Sequence, residues 1–159
     1  MSEMRRAQLL IFGAWLIFAA AWFLPVVSDG GTFPSSLPGW TAFRTALSPV
    51  WPYEGTAFTG IGAVAAVLSA LTTIVFIAVF IAGAPWVLWR ASNSVRRVWA
   101  WVAVGAFVLN AHWYFFYGRN DSGLMIGYFL WWFSFLVMAA GLFDLAGRRG
   151  ATPGLAEAA

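Results

Sequence analysis

The 159 residues are 62% apolar and 9% charged, with a mean hydropathy of +0.78, where soluble domains carry about 25% charged residues. A water-soluble fold of this length has too little interior to hide so much apolar surface, and the net charge of +3 comes from nine arginines at the ends of apolar runs rather than in a nucleic-acid-binding patch. Cysteine is absent, which removes disulfides, thiol nucleophiles and cysteine-held clusters; arginine is the sole basic residue type besides one histidine, which with the Ala, Gly and Trp content fits a GC-rich bacterial coding sequence.

Arg5 and Arg6 precede an uninterrupted apolar run over residues 8–27. A basic flank before an apolar run is also the form of a secretory signal, and Ala19, Ala20 and Ala21 imitate a cleavage site. The run nevertheless continues through Trp22, Phe23 and Leu24, and we read it as an uncleaved first spanning helix. Residues 28–57 then form the one sizeable loop. Its Gly30 and Gly31 and its prolines at 34, 38, 49 and 52 exclude a long helix, yet leave room for a short one between Pro38 and Pro49. There Trp40, Phe43 and Leu47 fall on one helical face. Such a helix lies flat at a membrane surface with that face among the headgroups, or presents it to a partner protein.

The second apolar segment, residues 61–88, is longer than the roughly 20 residues a bilayer needs and is predicted to tilt or to kink at Pro85. Gly62, Ala66 and Ser69 or Ala70 recur at three- and four-residue spacing, a stripe that lets another helix approach closely where lipid removes the hydrophobic driving force. Thr72 and Thr73 follow, able to bond across to another helix or back to the preceding turn. The third segment, residues 98–117, begins behind Arg96 and Arg97 and ends in the aromatic run from Trp113 to Tyr117. The fourth, residues 124–146, ends before Arg148 and Arg149. Only residues 118–123 separate these two, so they are expected to be antiparallel neighbours. Gly123 and Gly127 mark either close packing or merely a turn.

The expected fold is therefore an all-α polytopic membrane protein: four transmembrane helices in two antiparallel hairpins, with a short interfacial helix in the first outer loop. Residues 1–149 make one domain and residues 150–159 a disordered tail. Seven arginines, at positions 5, 6, 90, 96, 97, 148 and 149, fall on one side of the four spans, and only Arg44 and Arg119 on the other. Because cationic loops stay cytoplasmic, both termini are expected inside the cell, in the cell membrane, or the inner membrane of a Gram-negative host.

Polar groups within apolar spans are where function is usually found, because their burial is costly. His112 and Asn110 are the prominent cases. A lone histidine with no second ligand in register is a poor metal or haem site, and a structural hydrogen bond is the competing reading. Asp144 stands four residues before Arg148, the spacing of a helical ion pair. Asp29, Glu54 and Asp121 are expected outside, near Arg44 and Arg119, as a charged rim. Candidate ligand- or partner-binding residues are thus His112, Asn110, Trp40, Phe43, Leu47, Arg119 and Asp121, with no catalytic or metal-ligating set and no cofactor.

This inventory argues against an enzyme, which needs convergent acid, base or metal groups. The first expectation is an accessory or scaffold subunit that binds a membrane partner, a second copy of itself or lipid. The alternatives are an oligomeric transporter or channel for a small solute, or a binder of a hydrophobic molecule such as a quinone, carotenoid or acyl chain, with Trp15, Trp101, Trp131 and Trp132 as lining residues.

Overall fold

The computed structural model describes residues 3–28, 36–52, 58–82, 90–117 and 123–148. The chain is mostly helical, and four of its helices are long and apolar enough to cross a membrane: Arg5–Phe23, Gly60–Val79, Asn93–Phe116 and Ile126–Gly147. The kink expected at Pro85 and the tail at 150–159 lie outside the described residues.

Helix α1, Glu3–Phe23, stops four residues short of the end expected from hydropathy. Pro25 is the reason: it disfavours helical geometry at Leu24, and the β-branched Val26 and Val27 then extend. Strand β1, Pro25–Ser28, pairs antiparallel with β2, Ser36–Pro38, in the register Val27 opposite Leu37 and Ser28 opposite Ser36. On its other side β1 is bridged by Leu124, with Ser28 N donating to Gly123 O (3.1 Å) and Met125 N to Val26 O (2.8 Å). The mostly helical chain is consistent with the all-α expectation and carries, besides its helices, this small two-stranded sheet. Apolar periodicity misses it because strands of three and four residues are too short to show alternation.

Helix α2, Gly39–Ala46, follows with Pro38 in extended geometry at its N-cap, inside the bracket expected from Pro38 and Pro49. Gly39 lies directly against the backbone of Ala21 and Trp22, where any Cβ would collide with Ala21 O. Helix α3, Gly60–Phe76, widens into one π-helical stretch over Ile77–Ala82. It opens at Gly60 with a φ of 56°, a left-handed value that suits glycine.

Helix α4, Asn93–Asn110, starts five residues before the expected span because Ser92 caps it, its hydroxyl accepting from Val95 N at 3.3 Å. A single turn at Ala111 separates it from α5, His112–Tyr117. Helix α6 is Ile126–Arg148.

Helix α6 lies between α1 and α4, packed along both. Small residues set these distances: Ala7, Ala14, Ala100, Ala103, Ala106 and Ala139 are buried between the helices, interleaved with Ile11, Phe18, Met138 and Leu142. A Cβ on Gly141 would stand 2.7 Å from Ile11 Cγ1, and one on Gly127 2.6 Å from Pro25 O. Those two approaches make α1 and α6 antiparallel. The larger small-residue seam is therefore between the first and last helices, which are distant in sequence.

Helix α3 is joined to this three-helix layer mainly by side chains. Phe76 stacks on Phe18 (4.4 Å between centroids, 15° between planes) and meets Phe135 edge-on (5.2 Å). Toward the sheet-bearing end, Ala66 and Ala70 are buried under Ala46, Phe43 and Leu47 of the α2 region. Gly62, expected in the same stripe, has nothing within 4 Å of its Cβ position, and the same holds for Gly123. Large apolar side chains remain exposed on all four long helices, among them Phe12, Leu16, Ile61, Val98, Trp101 and Phe133. In water such surface aggregates; in a bilayer it faces lipid.

Candidate functional site

A cavity of about 210 Å³ lies at the sheet-bearing end, where α3 stands off from α1. The end of α1, strand β1, α2, α3, α5 and the start of α6 all contribute to its wall. Small residues make the space: Ala21, Gly39, Ala42, Ala46 and Ala70 line it. Aromatic residues hold the walls apart: Trp22, Phe43, Phe58, Trp113, Tyr128 and Trp131. Trp22 meets Phe43 at 5.4 Å and Phe58 meets Trp113 at 5.7 Å. Thr45, Ser69 and Thr73 bring hydroxyls to an otherwise apolar lining, and among the described residues no acidic, basic or histidine side chain reaches it.

The far wall is stiffened by a seam of hydrogen bonds between α3, the α4–α5 junction and α6. Trp113 Nε1 donates to Ser69 Oγ at 2.8 Å. Thr72 Oγ1 donates to Ser69 O at 2.7 Å and accepts from Asn110 Nδ2 at 2.9 Å, so it bonds both back along its helix and across to the next. Asn110 Nδ2 also donates to Ala106 O at 2.8 Å, and Tyr128 Oη donates to Asn110 O at 2.9 Å. Both amide hydrogens of Asn110 are therefore used, which fixes its orientation. Its Oδ1 is buried with no partner.

His112 sits beside this seam. Its Nδ1 is 2.7 Å from Leu109 O; a carbonyl only accepts, so Nδ1 donates. That bond lies where α4 breaks at Ala111. Nε2 is buried without a partner, with the rings of Trp113 (4.7 Å) and Phe116 (6.1 Å) nearby. Among the described residues no three His, Asp or Glu side chains gather as a metal site.

The structure divides the residues expected from sequence into separate places. Phe43 lines the cavity and Leu47 packs beside it, so this part of the α2 face turns toward α3; Trp40 remains exposed at 53%. Asn110 and His112 stand behind the wall. Arg119 and Asp121 lie outside the described residues, as do Asp29 and Glu54. Arg148 has no described side chain, which leaves its spacing to Asp144 without a geometry. Of the four inner tryptophans, Trp131 lines the cavity, Trp132 stacks on Phe107 and donates to its carbonyl (2.7 Å), Trp101 is exposed, and Trp15 has a buried indole N–H without a partner.

Tyr128 was not singled out by sequence reasoning, nor were Ser69 and Thr73 as cavity-lining hydroxyls. Their signal was the i, i+4 spacing of two hydroxyls on one apolar helix. Arg96 is a second surprise: counted as a loop cation, it is fully buried, with Nη1 donating to Asn93 Oδ1 at 3.1 Å. The comparisons with known proteins bring no relative to this geometry: no family model, no curated protein and no solved structure matches the chain.

Proposed function

We propose that this chain is an integral membrane protein that holds a hydrophobic molecule in the cavity between α1, α2, α3 and α6. The observation that carries this reading is the cavity itself, about 210 Å³ in volume, apolar, and walled by aromatic side chains from α1, α2, α5, α6 and the segment before α3. Ligand sites are typically concave and mostly apolar, with a few placed polar groups. At this volume, below the roughly 300–1,000 Å³ of sites for drug-sized molecules, the occupant is a single chain or ring.

In this reading the four apolar helices cross the membrane alternately, with the sheet, α2 and the cavity at the outer end and both termini at the cytoplasmic end. The arginine bias supports that orientation. Reporter fusions at Ala159 and within residues 30–36 test it; an active periplasmic phosphatase at the C-terminus overturns it. Transport of a polar solute finds little support, because the hydroxyls of Thr72 and Ser134 and the amide hydrogens of Asn110 are spent on internal partners. A role as an accessory subunit is compatible with the cavity, the bound molecule then serving the complex.

The test is mild extraction from the native host followed by mass analysis of co-purifying small molecules. Wild type is expected to carry one enriched hydrophobic species. Ala70→Phe and Ala42→Phe, each filling the cavity from a different helix, are expected to lose it. If neither wild type nor variants enrich any species over bulk lipid, the reading fails.

A further inference from the structure

We infer that the molecule held in the cavity is uncharged and presents a hydrogen-bond acceptor, in the first instance a carbonyl, on an otherwise apolar body. This rests on the binding role proposed above. A charged group brought into the cavity loses its hydration and meets no counter-ion among the described residues, none of whose acidic or basic side chains lines it. Arg44, between the lining residues Phe43 and Thr45, does not supply one. Its Nη2 donates to Pro52 O at 3.0 Å and its Nη1 to Trp51 O at 2.6 Å, while the guanidinium lies 4.1 Å from the Trp51 ring centroid. The cation is committed to the turn after α2.

The donors point the same way. Trp22 and Trp131 both line the cavity. Their rings are placed by aromatic neighbours, Trp22 by Phe18 and Phe43 and Trp131 by Tyr128 and Phe135. Neither indole N–H has a hydrogen-bond partner among the described residues. Trp113 and Trp132, by contrast, give theirs to Ser69 Oγ and Phe107 O. Indole nitrogen donates and never accepts, so the complement to two unused indoles is an acceptor on the ligand. Thr73 adds a hydroxyl held only loosely, 3.5 Å from Ser69 O. A lipid ester and a quinone share this chemistry: a neutral carbonyl joined to a long apolar chain.

The experiment uses full-length protein labelled with ¹⁵N-tryptophan in perdeuterated micelles, with the two indole signals assigned through Trp22→Phe and Trp131→Phe. It is titrated with dodecane, methyl laurate, a decyl-substituted benzoquinone and laurate anion. A carbonyl probe is expected to shift the Trp22 or Trp131 indole proton downfield and to bind about tenfold tighter than dodecane, the advantage of one added hydrogen bond of about 1.4 kcal/mol. The matching Trp→Phe variant is expected to lose that advantage. A response to methyl laurate alone assigns the site to membrane lipid, and one to the benzoquinone alone assigns it to quinones. Dodecane binding as tightly as both carbonyl probes overturns the acceptor requirement, and laurate binding as tightly as its methyl ester overturns neutrality; in either case the cavity's binding role stands. If no probe binds, the proposed function falls and this inference with it.

Discussion

Replacing Gly127 by alanine adds one methyl group at a close helix contact beside the cavity. The new Cβ would stand 2.6 Å from Pro25 O and 2.8 Å from Leu24 O, where carbon and other heavy atoms rest comfortably at about 3.5–4.0 Å. Both obstacles are backbone atoms, and Leu24 O is further held by Gly39 N at 3.2 Å, so no side chain can swing aside. Overpacking of this kind costs about 1–3 kcal/mol. Alanine's helix propensity returns at most about 1 kcal/mol, and less at the second residue of α6, so a net loss of about 1–2 kcal/mol is expected. Gly105→Ala is the control: its Cβ meets nothing within 4 Å, so only the propensity gain remains and its sign is opposite. Thermal unfolding of the two variants in nanodiscs, followed by the near-ultraviolet circular dichroism of the tryptophans, separates them. Because Leu124 and Tyr128 flank Gly127 and line the cavity, the proposed binding role has Gly127→Ala retain less of the hydrophobic molecule than wild type. A Gly127→Ala protein as stable as Gly105→Ala refutes the close contact between α6 and the α1–β1 corner.

The Asn110–Thr72 bond is expected to be modest: a double-mutant cycle with Asn110→Leu and Thr72→Val should give a coupling of about 0.6 kcal/mol, the average for hydrogen bonds within membrane proteins, and a coupling above about 2 kcal/mol would show that the seam acts as a larger cooperative unit. Arg96→Ala and Arg97→Ala remove the same charge from the same connection, yet Arg96 is fully buried and Arg97 exposed. Chemical denaturation should therefore find Arg96→Ala at least about 2 kcal/mol worse while Arg97→Ala stays within about 0.5 kcal/mol of wild type; equal effects would mean both act only through topology. Arg44→Lys should loosen the turn at residues 47–52, seen as faster amide exchange at Val50 and Trp51, because an ammonium cannot reproduce the two-carbonyl fork and ring stacking; unchanged exchange would show that the fork does not hold that turn.

The four long helices were legible because each is a run of apolar residues whose length is set by a physical thickness, and no tertiary knowledge is needed to count it. The short α2 was legible from Pro38 and Pro49. What escaped was every feature made by residues distant in sequence. The β1–β2 pair and its bridge to Leu124 depend on backbone groups meeting across one end of the helices, and the segments are too short for a period to declare itself. Arg96 looked like Arg97 because charge counting ignores which side of a helix a residue takes; residues 96, 100, 103 and 110 form the buried stripe of α4, and that periodicity was present in the chain. The partner of α1 was missed for the same reason. Ala7, Ala14 and Gly141 are ordinary residues until α6 is laid beside α1. The cavity was least visible of all, since a void is the failure of two helices to meet and has no residue of its own.

That failure has a physical source in the way α3 is held. Its apolar outer face, from Ile61 to Ile74, is exposed. On one flank lies the 210 Å³ cavity, and on the other a second apolar cleft of about 190 Å³ runs between α3 and α4, lined by Leu68, Thr72 and Ala106 among others. The hydroxyls at positions 69 and 72 tie α3 to Trp113 and Asn110 between the two. A helix fastened by this polar line, by Phe76 at one end and by Ala66 and Ala70 under α2 at the other, with apolar space on both sides, meets an apolar occupant without a continuous packed seam to break. Within a bilayer the occupant gains no hydrophobic energy by leaving lipid for such a space, because lipid tails are as apolar as the wall. Under the proposed binding role, selective retention must then come from shape and from hydrogen bonds that lipid tails do not offer, which is why that proposal turns on the indole donors of Trp22 and Trp131 rather than on the apolar area around them.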